Sequence, residues 1–439
     1  MEVPRTFLSA QASRRGFLAG GLAAAGMGLL AACTPGGSQS KSTEIPVMMN
    51  YSAAFEKEFL RVTQGYERAT GNTVDLLNIA AADQYATKLK TLALAKQLPA
   101  LYYVASFDLG THIKNGWVQD LTPYIERNED VVQSADFFPA VVSQTSRDGK
   151  MYGLSDGLSS YGMYVNKTMF DELGIPLPDD DNWTWDDYFD LTEAFKLTDG
   201  GRQTRWGGLA NHGSWAFRGI FSANGGQVFS DDLSECIIAN DENIATVEQL
   251  RAAAKRGSVP DPGGLPSGVD PFASGILAMV MDGSWYVQGA RDSIGDKFEW
   301  DVLKLPKGST GRRDVAVATG TYVMSRDTEN TETAFDFLSY YTSATIQDSI
   351  PFLQLGTVQP RVQQEKDYQE RSKLEDLPPA NRLNVFPWQI QNDAGDLPYP
   401  DYWTAFETVW FNRLISLFTG PDSAKTVLEQ IQEETNRQR

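Results

Sequence analysis

The chain opens its folded part with an alternation that leaves few architectures available. Ile45-Pro46-Val47-Met48-Met49 reads as a buried strand, and Phe55 to Thr70 as an amphipathic helix with Phe55, Phe59, Val62 and Tyr66 on one face and Gly71 closing it. Thr73 to Ile79 is a second strand, Tyr85 to Leu98 a helix, and Leu101 to Val104 a third strand. Strand, helix, strand, helix, strand predicts a parallel sheet flanked by helices. Ligands of such sheets sit beyond the carboxyl ends of the strands, which makes Tyr51, Ser52, Ser106 and Asp108 candidate cleft residues.

A second stretch, Met151 to Phe195, organises the middle of the chain. Gly149, Gly153 and Gly157 suggest bends, and Gly162-Met163-Tyr164-Val165 is a run of strand length. Lys167 to Leu173 is expected as a helix capped by Gly174. Thr184 with Asp187 three residues later predicts a capping box, so that Trp185 onward is helical and Trp183 and Trp185 are structural. A strand entered through small residues suits a crossing between two lobes; the same local pattern also describes an ordinary αβ loop.

The order Tyr152-Gly153, Tyr164-Val165-Asn166-Lys167, Phe170, Gly174, Pro178 and Trp183-Thr184-Trp185-Asp186 resembles the first hinge region of the extracellular sugar-binding proteins of ABC importers. Further similarities are Gly116 to Leu121, the Asn224-Gly225-Gly226 turn, the block Phe272, Gly275, Ala278, Met279, Gly283, Ser284, Trp285, and Leu305-Pro306-Lys307-Gly308. Where the family carries a Pro-Asp-Val run this chain has Pro99-Ala100-Leu101, so that acid is missing. Val315 to Ser325 and Leu355 to Arg361 resemble a second and a third crossing. The resemblance implies an α/β, two-lobe periplasmic-binding-protein-like fold of type II, with parallel-rich sheets flanked by helices and a hinge near Asp156, Val317 and Val358. It implies an amino-terminal lobe of 44–155 plus 318–357 and a second lobe of 158–316 plus 360–439. It also adds Asp156, Asn224, Gly320, Thr321, Tyr322 and Arg361 to the candidate ligand-binding residues.

At the amino terminus, Ser13-Arg14-Arg15-Gly16-Phe17-Leu18 fits a twin-arginine export signal. The uncharged run Phe17 to Ala32 is short for a bilayer of about 30 Å. It ends in Leu30-Ala31-Ala32-Cys33, which resembles a bacterial lipobox. Residues 1–32 are therefore expected as a signal peptide, with Cys33 as the lipidated first residue of the mature protein. The protein would then sit outside the cytoplasmic membrane, anchored to its outer face. Residues 33–43 form a Gly/Ser-rich tether. A retained anchor helix with an incidental cysteine is the alternative. Cys236, the only other cysteine, lies in an apolar context and is expected to be buried; one thiol makes no internal disulfide.

Covalent chemistry finds little support. The formal charge is −19, and losing three arginines and one glutamate with residues 1–32 takes it to −21. Nucleic acid wants a basic face, so it is not expected as a partner. Two histidines, His112 and His212, and no G-x-S-x-G elbow argue against a serine triad. No phosphate-binding or dinucleotide fingerprint is present, no cofactor is expected, and one thiol with two scattered histidines makes no zinc cluster. An all-carboxylate calcium site stays open.

Aromatic usage points elsewhere: 10 Trp, 17 Tyr and 22 Phe. Sugars pack their C–H faces on rings and need carboxylate, amide and guanidinium partners for their hydroxyls. Trp215, Trp285, Trp388 and Trp403 lie in or beside loop signals and are candidate platforms, with core filling as the alternative for each. The expected function is capture of a carbohydrate by lobe closure and delivery to an ABC permease by a monomeric, non-enzymatic protein. Two alternatives are an extracellular glycoside-active enzyme and a binder of a glycerophosphodiester-like ester, the latter needing a phosphate-binding arginine such as Arg361 or Arg218.

Overall fold

β1 (Glu44–Met49) lies between two parallel neighbours, β2 (Thr73–Asn78) and β3 (Leu101–Ala105). In this computed structural model the described residues are 43–209, 213–261, 265, 269–351, 357–371, 378–380, 382–394 and 399–439. The expected signal peptide, Cys33 and the tether up to residue 42 lie outside them, as do His212 and, in the third crossing string, Leu355 and Gly356.

The helix from β1 to β2, Ala53–Thr70, begins where Ser52 accepts the Phe55 N–H and ends at Gly71, whose φ of 76° needs a glycine. It buries Phe55, Phe59, Val62 and Tyr66, the stripe expected from their spacing. The next helix, Ala82–Ala95, stops short of Leu98 because Lys96 turns left-handed and Gln97 bonds back to the Leu92 carbonyl.

After the small hairpin of β4 (Ser146–Arg147) and β5 (Lys150–Met151) comes β6, a single strand of 14 residues, Gly153–Asn166. Gly153 and Gly157 lie inside it rather than at bends. The reason is close approach: a Cβ on Gly153 would stand 2.2 Å from Thr321 Cγ2.

The remaining strands are β7 (Leu197–Asp199), β8 (Arg202–Leu209), β9 (Leu277–Gly283), β10 (Trp300–Leu303) and β11 (Val317–Met324). The sheet order is β2-β1-β3-β11-β6-β9-β8-β7, with β10 also on β6. β6 serves two half-sheets. Its first half, up to Ser160, pairs with β11, which in turn pairs antiparallel with β3; its second half, from Tyr161, pairs with β9 and β10. β8 and β9 are parallel; β6 and β11 pair antiparallel with each other and with β3, β9 and β10, and β7 closes the far edge antiparallel to β8. A further bridge joins Leu158 to Val358.

Residues after β11 return to the first half-sheet: helix Thr331–Tyr341 places Phe337 and Tyr341 6.0 and 4.9 Å from the Phe59 ring. The second half-sheet is covered by helices Asp241–Lys255, Trp403–Thr419 and Ala424–Gln438, whose Val247, Trp410, Leu428 and Ile431 are buried with Phe217 and Phe221. Cys236 is buried in that core, which pushes its thiol up to about 12. The capping box at Thr184 forms in both directions, and Trp183 and Trp185 are buried. No described helix is long and apolar enough to cross a membrane.

Candidate functional site

Trp215 and Trp285 follow the carboxyl ends of the two parallel strands β8 and β9, while Tyr51 and Phe107 follow those of β1 and β3. Sheet topology thus collects residues far apart in sequence at one end of the strands. The Trp215 ring lies 4.4 Å from Tyr161 of β6 and 5.4 Å from Trp285. Phe107 approaches Trp215, Tyr399 and Trp403 at 6.0, 5.9 and 6.0 Å. Trp285 sits on the backbone of Gly283, where a Cβ would meet its ring at 2.1 Å, and 43% of its surface stays exposed. Trp215 is half-buried and Trp403 fully buried. Exposed and half-buried indoles side by side form a graded apolar wall that can receive the C–H face of a ring.

Acids border this wall. Asp108 accepts a hydrogen bond from the Thr404 hydroxyl at 2.9 Å, and Glu407, one turn further along that helix, accepts from Ser214 at 2.8 Å. Burial raises the Asp108 carboxyl well above its ordinary range, and the Glu407 charge adds to the shift; burial raises Glu407 too. Asp282, at the end of β9, is pushed up to about 7 by burial.

The segments carrying Asp108 and Glu407 also touch directly. Thr111 reaches the Asp401 carbonyl at 3.2 Å and the Thr404 hydroxyl at 3.0 Å. Arg147 donates to the Tyr399 carbonyl at 3.0 Å and pairs with Asp401 at 3.4 Å.

Beneath lies a polar floor where β6 and β11 cross. Ser106 donates to Gln144 at 2.7 Å, Gln144 donates to the Val317 carbonyl at 2.8 Å, and Thr319 donates through its hydroxyl to the Gly157 carbonyl at 3.0 Å. Asp156, 2% exposed, receives the Tyr51 hydroxyl at 2.7 Å and the Tyr341 hydroxyl at 3.2 Å. Burial pushes its carboxyl up to about 6, against the pull of those two donors. A Cβ at Gly320 would stand 2.5 Å from the Asp156 carboxylate, so the missing side chain leaves room for that acid.

Other candidates from the sequence fall elsewhere. Ser52 serves as a helix cap, and Thr321 and Tyr322 are buried within β11. Asn224 accepts the Ser309 N–H at 2.9 Å and so braces a turn. Trp388 lies under the Lys304 ammonium at 3.9 Å. Arg361 is fully buried, donating to the Val132 carbonyl at 2.7 Å and to Gln347 at 3.1 Å, over the Phe137 ring. Arg218 is buried against the Phe229 and Tyr399 rings. His112 is buried beside Tyr102, 3.2 Å from its hydroxyl. Among the described residues no group of three or more His, Cys, Asp or Glu stands where it could hold a metal ion.

Four further residues join the candidate site without a signal of their own in the sequence: Phe107, Tyr161, Tyr399 and Glu407. Phe107 sits between two candidates, Ser106 and Asp108, and Glu407 is four residues after Trp403 on one helix face, a spacing that marks it.

The family described as bacterial extracellular solute-binding protein matches residues 61–376. An arabinooligosaccharide-binding protein of Bacillus subtilis is 27% identical over 227 residues, 50% of each chain, so the chain spans about half the length of that relative. A multiple sugar-binding protein of Streptococcus mutans is 24% identical over 72% of this chain and 76% of its own. In structure, the chain is similar to an ABC substrate-binding protein of Listeria monocytogenes in complex with cycloalternan. The TM-score is 0.80 at 22% identity, covering 90% of this chain and 99% of that one. A maltose/maltodextrin-binding domain of Bdellovibrio bacteriovorus bound to maltotriose gives 0.74 at 17% identity, with coverages of 90% and 99%. The fold is accordingly the two-lobe α/β fold of these proteins, and the relatives are binding proteins rather than enzymes. With more than two thirds of its length matched, the chain belongs to the bacterial extracellular solute-binding proteins.

Proposed function

We propose that this protein captures a sugar or oligosaccharide between its two lobes and delivers it to the permease of an ABC importer, tethered to the outer face of the membrane through lipid on Cys33. The observation that carries this reading is the aromatic wall of Trp215, Trp285 and Tyr161, bordered by Asp108 and Glu407. Rings supply the apolar face and carboxylates accept from hydroxyls, the pairing that a carbohydrate needs. The names of the relatives, which bind arabinooligosaccharides and multiple sugars, support the same class.

In this reading the lobes comprise 44–155 with 318–357 and 158–316 with 360–439. Closure turns about β6, β11 and the Leu158–Val358 bridge, and brings Phe107 and Asp108 against Trp215, Trp403 and Thr404. A ligand touching both lobes stabilises the closed state. The glycerophosphodiester alternative loses its named arginines, since Arg361 and Arg218 are buried against other partners.

The test is a thermal-shift screen with maltotriose, mannotriose, cycloalternan and arabinooligosaccharides. A ligand at a hundred times its dissociation constant adds about 2.7 kcal/mol to stability. Loss of the shift in Trp285→Ala would support the wall as the site; stabilisation by a sugar that survives removal of both Trp215 and Trp285 would overturn it.

A further inference from the structure

We propose that closure of the cleft is linked to a proton: Asp108 and Glu407, brought together from opposite sides, take up one proton on closing, so that capture is favoured at mildly acidic pH. This deepens the reading above and rests on it for the movement of the lobes.

The geometry is that of two acids on separate segments that meet only when those segments touch. Asp108 follows β3, and Glu407 lies on helix Trp403–Thr419; Thr404 of that helix donates to Asp108, and Glu407 is one turn away. Among the described residues no ion pair joins a cation to either acid. Arg147, from β4, turns one guanidinium nitrogen to Asp401 and the Tyr399 carbonyl. Arg218, from helix Ser214–Ala223, lies against the rings of Tyr399 and Phe229. The other titratable groups around the pair are Asp401, which pairs with Arg147, and three tyrosines, neutral at these pH values: Tyr103 from β3, Tyr161 from β6 and Tyr399. Ser214 and Thr404 each give a single hydroxyl.

Two half-buried carboxylates whose segments meet at the Thr404–Asp108 hydrogen bond repel one another when both are ionised, and a shared proton relieves that repulsion. In the open form each acid returns to water and to its ordinary range. The closed form therefore binds protons more tightly than the open form, and affinity rises as pH falls. The rise begins as pH drops through the raised value of the closed form and levels off below the open-form value, about 4.

The experiment is calorimetric titration of wild type, Asp108→Asn, Glu407→Gln and Asp336→Asn with the four sugars named above, at pH 6 and pH 8. The binding sugar should be several-fold, up to about a hundredfold, tighter at pH 6, since one proton gives at most tenfold per unit. Proton uptake should appear as a binding heat that varies with the ionisation enthalpy of the buffer. Asp108→Asn and Glu407→Gln should flatten the profile, whereas Asp336→Asn, which removes an acid outside the site that accepts from the Tyr66 hydroxyl, should keep it. A flat wild-type profile, or an unchanged slope in both pair variants, overturns the proton linkage and leaves sugar capture standing. If no sugar of the panel binds at either pH, the sugar reading fails on its own. Small-angle scattering of the free protein then decides: a smaller radius at pH 6 than at pH 8, abolished by Asp108→Asn, supports the linkage, and equal radii overturn it. Melting curves verify that each variant is folded.

Discussion

Asp156 is the residue of β6 left over in its ladder with β11, and the Tyr51 hydroxyl closes on both of its carboxylate oxygens, at 2.9 and 2.7 Å. Gly320 pairs with Gly157 and Thr321 with Ser155, so the bulge turns the Asp156 side chain toward β1 and the end of helix Thr331–Tyr341. A buried acid at a strand crossing couples backbone register to protonation. Its carboxyl moves from 3.8 to about 6 through burial. Since the folded-state value is raised, its contribution to stability is full below about pH 4 and is lost as pH rises through about 6. Relative to Asp156→Asn, wild type should gain on the order of 2–3 kcal/mol between pH 8 and pH 4, less whatever the two tyrosine bonds return to the ionised form. Urea denaturation of both proteins across this range measures it; parallel curves would remove Asp156 as the source.

Gly320→Ala would place a methyl group 2.5 Å from the Asp156 carboxylate, 2.8 Å from the Tyr51 hydroxyl and 3.2 Å from the Tyr103 ring. Overpacking of this kind typically destabilises by about 1–3 kcal/mol. The expected result is a lower denaturation midpoint with an unchanged slope, and a wild-type midpoint would mean that the floor yields freely.

Trp285 and Trp403 are expected to separate binding from folding. Trp285 is 43% exposed and Trp403 is 0% exposed. Trp403→Ala should lose about 3–5 kcal/mol of stability. Trp285→Ala should change the ligand-free protein little while weakening sugar binding, and Gly283→Ala, which pushes a methyl group into the Trp285 ring, should weaken binding in the same way. Large destabilisation by Trp285→Ala with unaltered affinity would return that ring to a packing role.

Cys33→Ser tests the anchor, on the strength of Leu30-Ala31-Ala32-Cys33. The variant is expected in the soluble fraction or as an unprocessed precursor. Correct trimming together with retention in the membrane would end the lipoprotein reading.

What was legible in the sequence was local. The stripe of Phe55, Phe59, Val62 and Tyr66, the cap at Gly71 and the reciprocal box of Thr184 and Asp187 are written within a few residues of one another, and all three form. Gly153 was harder, because its neighbour is Thr321, and nothing near Gly153 reports that a distant strand needs its missing Cβ. Arg361 belongs to a string that resembles a crossing, yet its fork is taken by Val132 and Gln347. Tyr161 and Tyr399 enter the site through rings supplied by other elements, a relation that no local pattern encodes.

The pairing of β11 with β3 also governs how this chain can acquire its structure. Ala105 finds its partner only at Gly320, so the edge of β3 stays open through the synthesis of everything between. Contacts of such long sequence separation slow folding, and an unpaired strand edge invites association with other chains while it waits. Through the interval from Ala105 to Gly320 that edge is open to association, and β6, delivered midway, cannot shorten it because β11 must lie between it and β3.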